Sequence, residues 1–158
     1  MTEGADPDLT RIVVDADVLA ADILVGGAAR EAMDTVRSHS WLELVVTEDL
    51  LEDATAVIEA LSDPEVADDW RGLVAGLVTV VEQPTGDHPA LAAAYRGNAA
   101  QIVSLDERLR SAEAGANLRG YLDVSVRSPD AFNAVVDPAA IYELAFEGPY
   151  PGPDRDPR

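Results

Sequence analysis

The chain has 158 residues, which suits one domain with a substantial core and leaves no room for two. Hydrophobic residues make up 47% of it, which excludes an acidic disordered chain, and the lack of cysteine excludes disulfides and thiolate metal sites. Thirty acidic residues face eleven basic ones, all of them arginine, for a formal net charge of −19.

Such a surface repels itself in dilute buffer. Molar salt shortens the screening length to roughly 3 Å and removes most of the repulsion. The acids are spread along the chain and not gathered in a tail, so the composition reads as that of an extreme halophile's cytosol. The rival reading is an acidic protein with a basic partner. No apolar run reaches the roughly 18 residues of a membrane span, so no membrane association is expected. The opening "MTEGADPDLT" lacks a basic-then-apolar signal pattern, and a cytoplasmic location is the expectation.

In chain order, residues 1–10 read as a flexible N-terminal arm, 11–146 as the folded domain and 147–158 as a proline-rich disordered tail. Within the domain, "RIVVD" at 11–15 reads as a strand, and 17–38 as helical with a break at Gly26-Gly27. "WLELVV" at 41–46 is a second strand, and Thr47 is placed to cap an amphipathic helix over 48–61. A proline turn at 63–64 leads into a helix expected to run to 83. Pro84 to Gly86 is a loop, 88–96 an alanine-rich helix, and "QIVSLD" at 101–106 a short strand. Residues 107–114 read as helix, "YLDVSVRS" at 121–128 as a last strand, and "PDAFNAV" as a helix or turn with proline first. There is no internal repeat.

Strands alternating with helices predict an α/β fold with a parallel sheet covered on both faces. Ligand sites in such sheets lie beyond the carboxyl ends of the strands. Asp15 ends the first strand and Asp106 ends the third, so adjacent strands would bring both carboxylates to one edge. On the helix over 48–61, Leu50, Leu51, Ala54, Val57, Ile58 and Leu61 form the apolar stripe. Asp53 lies about 100° from its centre and Glu52 about 160°, which favours Asp53 as a site member and leaves Glu52 as the alternative. Asp87, just before His88-Pro89, is a fourth acid that could face the same edge. Two like charges 4 Å apart repel by roughly 4 kcal/mol at an effective dielectric of 20. Proton sharing is one remedy, and a hard, oxygen-preferring cation such as Mg²⁺ is the other.

The stretches "IVVDADVL", "GDHPALAAAYRGNAAQIVSLDERL" and "VSVRSPDAF", with an acid on the helix after the second strand, resemble a PIN domain. The resemblance covers roughly residues 11–132, and it rests on the order and spacing of short motifs. It implies a three-layer α/β/α fold with a central parallel sheet of about four to five strands. It also implies a metal-dependent ribonuclease site of Asp15, Asp53, Asp87 and Asp106 binding Mg²⁺ or Mn²⁺. Asp17, Glu52 and the hydroxyl of Ser104 would support that site. RNA is the implied substrate, with a homodimer and an antitoxin or other protein as further candidate partners.

Other readings stand beside this one. Asp15, Asp87 and Asp106 can each cap a helix, Asp17 can be a first-turn acid favoured by the helix dipole, and Asp53 can be surface charge. His39 and His88 read as surface residues, since two histidines so placed show no zinc spacing. Arg108 and Arg110 can touch phosphate or pair with Glu107 and Glu113. "VVDADV" also fits the strand end of haloacid dehalogenase-like phosphatases, and receiver domains gather acids similarly, but both normally use a lysine that this chain lacks. A non-catalytic PIN-like scaffold binding RNA or protein is the remaining alternative, since nucleic-acid binders usually carry basic patches.

Overall fold

The computed structural model describes residues 7–83, 88–110 and 124–157. Its elements run β1 (Asp8–Val14), α1 (Ala16–Leu24), α2 (Gly27–Arg37), β2 (Glu43–Thr47), α3 (Glu48–Leu61), α4 (Pro64–Ala75), β3 (Val78–Val81), α5 (Pro89–Gly97), β4 (Ala99–Val103), α6 (Glu107–Arg110), β5 (Ser125–Arg127), α7 (Pro129–Val135) and α8 (Pro138–Ala145). The five strands form one sheet in the order β3-β2-β1-β4-β5, and every pairing is parallel. Helices flank the sheet, so the fold is α/β with three α/β/α layers. Among the described residues no helix is long and apolar enough to cross a membrane.

The buried strands lack polar alternation because helices cover both faces of the sheet. Ile12, Val13 and Val14 of β1, Leu44, Val45 and Val46 of β2, and Ile102 and Val103 of β4 are all buried. They pack against Val18 and Leu19 of α1 and the alanines of α5. The chain winds from β1 outward to β2 and β3, then crosses to the far side of β1 to lay down β4 and β5. The direction of winding reverses between β1 and β4, and a crevice opens at such a switch point.

Three expectations are corrected. Residues 8–10 belong to β1, since the Asp8 N–H donates to the Asn98 carbonyl (2.8 Å) and Asp8 pairs with Ala99 across the sheet. The helix expected over 63–83 stops at Ala75 with Gly76 as its C-cap, and Val78–Val81 continues as β3 beside β2. A run of valine and threonine favours a pleated, half-buried strand over a helix turn, and an apolar stripe alone does not separate the two. The tail expected to be disordered docks on the end of α2. The N–H groups of Asp154 and Arg155 donate to the Ser38 carbonyl, and the Asp154 carboxylate accepts from the Ser40 N–H at 2.7 Å. The Tyr150 hydroxyl lies 2.5 Å from His39 Nε2, and the edges of Tyr142, Phe146 and Tyr150 pack around Trp41. These contacts satisfy backbone carbonyls that a helix end leaves open. They also bury His39 to 4% exposure, so it is no surface residue. The helix expected to reach 114 and the strand expected from 121 extend partly outside the described residues.

The close approach of α5 to the sheet depends on its small residues. A Cβ at Gly97 would overlap Cγ1 of Val45 on β2. Gly97→Ala should therefore cost about 1–3 kcal/mol in denaturant unfolding, with part of it recovered by Val45→Ala in the same chain. Strictly additive effects of the two substitutions would refute this contact. Deleting residues 149–158, which carry no net charge, should cost about 2–3 kcal/mol, or roughly 5–10 °C of melting temperature. An unchanged melting curve would mean that the docked tail adds nothing.

Candidate active site

The carboxyl ends of β1 and β4 place the functional groups. Val14 pairs with Val103, and the Asp15 N–H donates to the Val103 carbonyl at 2.9 Å, so the two strands end level with each other. Asp15 caps α1: one carboxylate oxygen accepts from the Ala16 N–H at 2.8 Å. The other accepts from the Ser104 hydroxyl, also at 2.8 Å. Ser104 is fully buried, held by its own N–H to the Arg127 carbonyl of β5. Its Oγ in turn accepts from the Asp106 N–H at 3.0 Å. One hydroxyl thus ties Asp15, 6% exposed, to the turn that carries Asp106.

Asp17 sits in the first turn of α1, with one oxygen 3.4 Å from the Leu105 N–H. Burial raises the Asp17 carboxyl above its ordinary pKa and the Asp15 charge adds to the rise; the Leu105 and Val18 N–H groups oppose it, and Asp106 adds a further push upward. Asp106 is shifted the other way. The Arg108 N–H holds it below the usual carboxylate range, the Arg108 guanidinium helps, and His88 contributes in the same sense.

These groups open onto a cavity of about 390 Å³. Asp15, Asp17, Asp106 and His88 line it together with Ala20, Ala21 and Leu24 of α1, Val25 just after α1, and Val57 and Leu61 of α3. The structure therefore brings together Asp15, Asp17, Ser104 and Asp106. It leaves Glu52 and Asp53 exposed and outside the cavity lining. Asp53 lies one turn before Val57 on the same helical row, which is why its phase suggested the site. The cavity meets α3 lower down. Asp87 lies outside the described residues. Among the described residues no group of three or more His, Asp or Glu side chains is arranged to hold a metal ion.

His88 was missed as a site residue. It is half-buried, caps α5 by accepting from the Ala90 N–H through Nδ1 at 3.1 Å, and lines the acidic cavity. The signal was available in His88-Pro89, because a residue directly before a first-turn proline is the natural N-cap. The preceding Asp87 is the stronger capping residue type, and it drew the assignment one position early.

The Asp17 shift has a consequence for stability. Its folded pKa lies above the unfolded one, so its ionisation withdraws stability as pH rises out of the carboxylate range, and nothing is withdrawn below the unfolded value. Asp17→Asn keeps an oxygen for the Leu105 N–H and removes the charge. In EDTA the variant should melt higher than the parent at pH 7, with the gap closing as pH falls below about 4. A lower melting temperature at pH 7, or a gap independent of pH, would refute this account.

Residues 6–158 match the model of a family of unknown function, DUF7384. No curated protein and no solved structure matches the chain. Since the match spans nearly the whole sequence, the chain belongs to the DUF7384 family.

Proposed function

We propose that this protein is a metal-dependent ribonuclease of PIN type that hydrolyses RNA phosphodiesters. The observation that carries the reading is the Asp15–Ser104–Asp106 chain of hydrogen bonds at the switch point of the sheet, with Asp17 beside it and a cavity in front. The donor set fits a hard cation. It consists of carboxylate oxygens without sulfur; burial is the largest cause of the upward shift of Asp17, and the charges of Asp15 and Asp106 add to it. Mg²⁺ or Mn²⁺ would be held by Asp15 and Asp106, with Asp87 as the further candidate from the sequence; Asp53 is exposed and lies outside the cavity lining. Such an ion supplies Lewis-acid stabilisation of phosphate charge and lowers the pKa of a bound water.

The chain's own contribution is positioning. The Ala16 N–H and the Ser104 hydroxyl hold the two oxygens of Asp15, which fixes the carboxylate plane. The Arg108 N–H donates to one oxygen of Asp106 at 2.9 Å. Asp17 adds a third carboxylate at the mouth.

A second reading, a PIN-like scaffold without catalysis, is favoured by one observation: both candidates for the acid on α3, Glu52 and Asp53, are exposed. Melting in fixed molar KCl separates the two. For the nuclease, Mn²⁺ at about a hundredfold excess over its Kd should stabilise the parent by about 2.7 kcal/mol, or roughly 5–10 °C. Asp15→Asn and Asp106→Asn should lose most of that increment, together with RNA cleavage. An equal Mn²⁺ shift in all three proteins would favour the scaffold.

A further inference from the structure

We propose that His88 is a substrate-positioning residue of this site, donating its Nε2–H to a non-bridging phosphate oxygen of the RNA. The inference rests on the ribonuclease reading and extends it to a residue that reading does not need. Three observations carry it. First, His88 lines the same cavity as Asp15, Asp17 and Asp106. Second, Nδ1 accepts from the Ala90 N–H, so in the neutral ring the proton sits on Nε2. The cap of α5 thereby selects the tautomer and anchors the ring, as second groups commonly do for functional histidines. Third, among the described residues the cavity's other polar side chains are carboxylates, which only accept, and no described arginine lines it. A phosphodiester entering this space presents acceptors alone. Among the described lining residues, His88 is the side chain able to offer its oxygens a hydrogen bond. The influence of His88 on Asp106 agrees with their nearness.

Two variants separate the pocket donor from the helix cap. His88→Asn keeps a capping oxygen at the start of α5 but is too short to present a donor where Nε2 stands. His88→Ala removes both. With a short fluorescein-labelled single-stranded RNA in molar KCl and Mn²⁺, His88→Asn should raise KM about tenfold, the loss of one hydrogen bond to a charged oxygen, with kcat within about twofold and an unchanged melting temperature. His88→Ala should show the same KM and a lower melting temperature. An unchanged KM in His88→Asn, while Asp15→Asn abolishes cleavage, overturns the role of His88 and leaves the nuclease intact. If the parent binds the RNA without cleaving it, the Kd from fluorescence anisotropy replaces KM: a tenfold loss in His88→Asn supports the contact, and no loss overturns it. Cleavage that survives Asp15→Asn and Asp106→Asn overturns the nuclease reading, and a parent that neither binds nor cleaves RNA overturns both.

Discussion

The pairing of β1 with β4 is the contact on which the site depends. Because Val14 lies opposite Val103, the residues that follow, Asp15 and Ser104, leave the sheet side by side. Ser104 can then donate to Asp15 and accept from the Asp106 N–H at once. A slip of one residue between the strands would turn the Ser104 side chain to the opposite face and break both bonds. The buried faces of both strands resist such a slip, since it would move Ile12 or Ile102 out of the environment each now fills. The core and the site are therefore fixed by one register. The same pairing lies where the winding of the sheet reverses, so the crevice and the carboxylates coincide for a topological reason.

What could be read from the sequence follows from how local each feature is. The apolar strand ending in an acid is a local pattern, and it marks Asp15 and Asp106 from the sequence alone. Ser104 is marked only by the resemblance of the motifs to a PIN domain. β3 was not, because its valines continue the apolar character of α4 and only pairing with Leu44 to Thr47 makes them a strand. The tail was not, because its order comes from partners more than a hundred residues away, the Ser38 carbonyl and the His39 ring. A proline-rich composition states what a segment cannot form on its own and is silent on what it can lean against. On α3, helical phase placed Asp53 on the flank that carries Val57 and Leu61, but phase does not say how far along a helix a cavity extends. The capping role of His88 is legible in His88-Pro89, but its place on one cavity with Asp15, Asp17 and Asp106 depends on the fold.

The scarce cations sit at joints of the fold. Arg37 grips the buried Asp22, 2% exposed in its side chain, through two hydrogen bonds of 2.7 and 2.9 Å. Removing one partner of a buried pair leaves a charge without compensation, which is why such pairs fix one arrangement of their helices even where their net contribution is small. Here α1 and α2 are locked across the Gly26-Gly27 turn, with Arg30 donating to the Asp22 carbonyl as a second clasp. Arg155 performs a comparable task for the tail by donating to the His39 carbonyl at 3.2 Å. Arg11 and Arg71 form partly exposed pairs that contribute little individually.

One arginine does reach a carboxylate of the acidic cavity: the Arg108 guanidinium lies 3.5 Å from Asp106. Asp15 and Asp17 are restrained by neutral donors: the Ala16 and Leu105 N–H groups and the Ser104 hydroxyl. Neutral donors orient a carboxylate without cancelling its charge; burial raises the Asp17 pKa, and the Asp15 charge adds to the rise. An arginine beside Asp15 and Asp17 would oppose that rise and would also occupy the oxygens a cation needs. The arrangement also bears on how a chain of net charge −19 could meet a polyanion. Counterion release drives most nucleic-acid binding and fades as salt rises. Molar salt removes that attraction, and it equally removes the repulsion between two acidic surfaces. What persists under those conditions is short-ranged: coordination at a carboxylate edge, hydrogen bonds from fixed donors, and contact with apolar walls. A site built from Asp15, Asp106, Ser104 and His88 against α1 and α3 contains these elements and no long-range cationic field, so its selectivity would come from fit at the cavity more than from attraction at a distance.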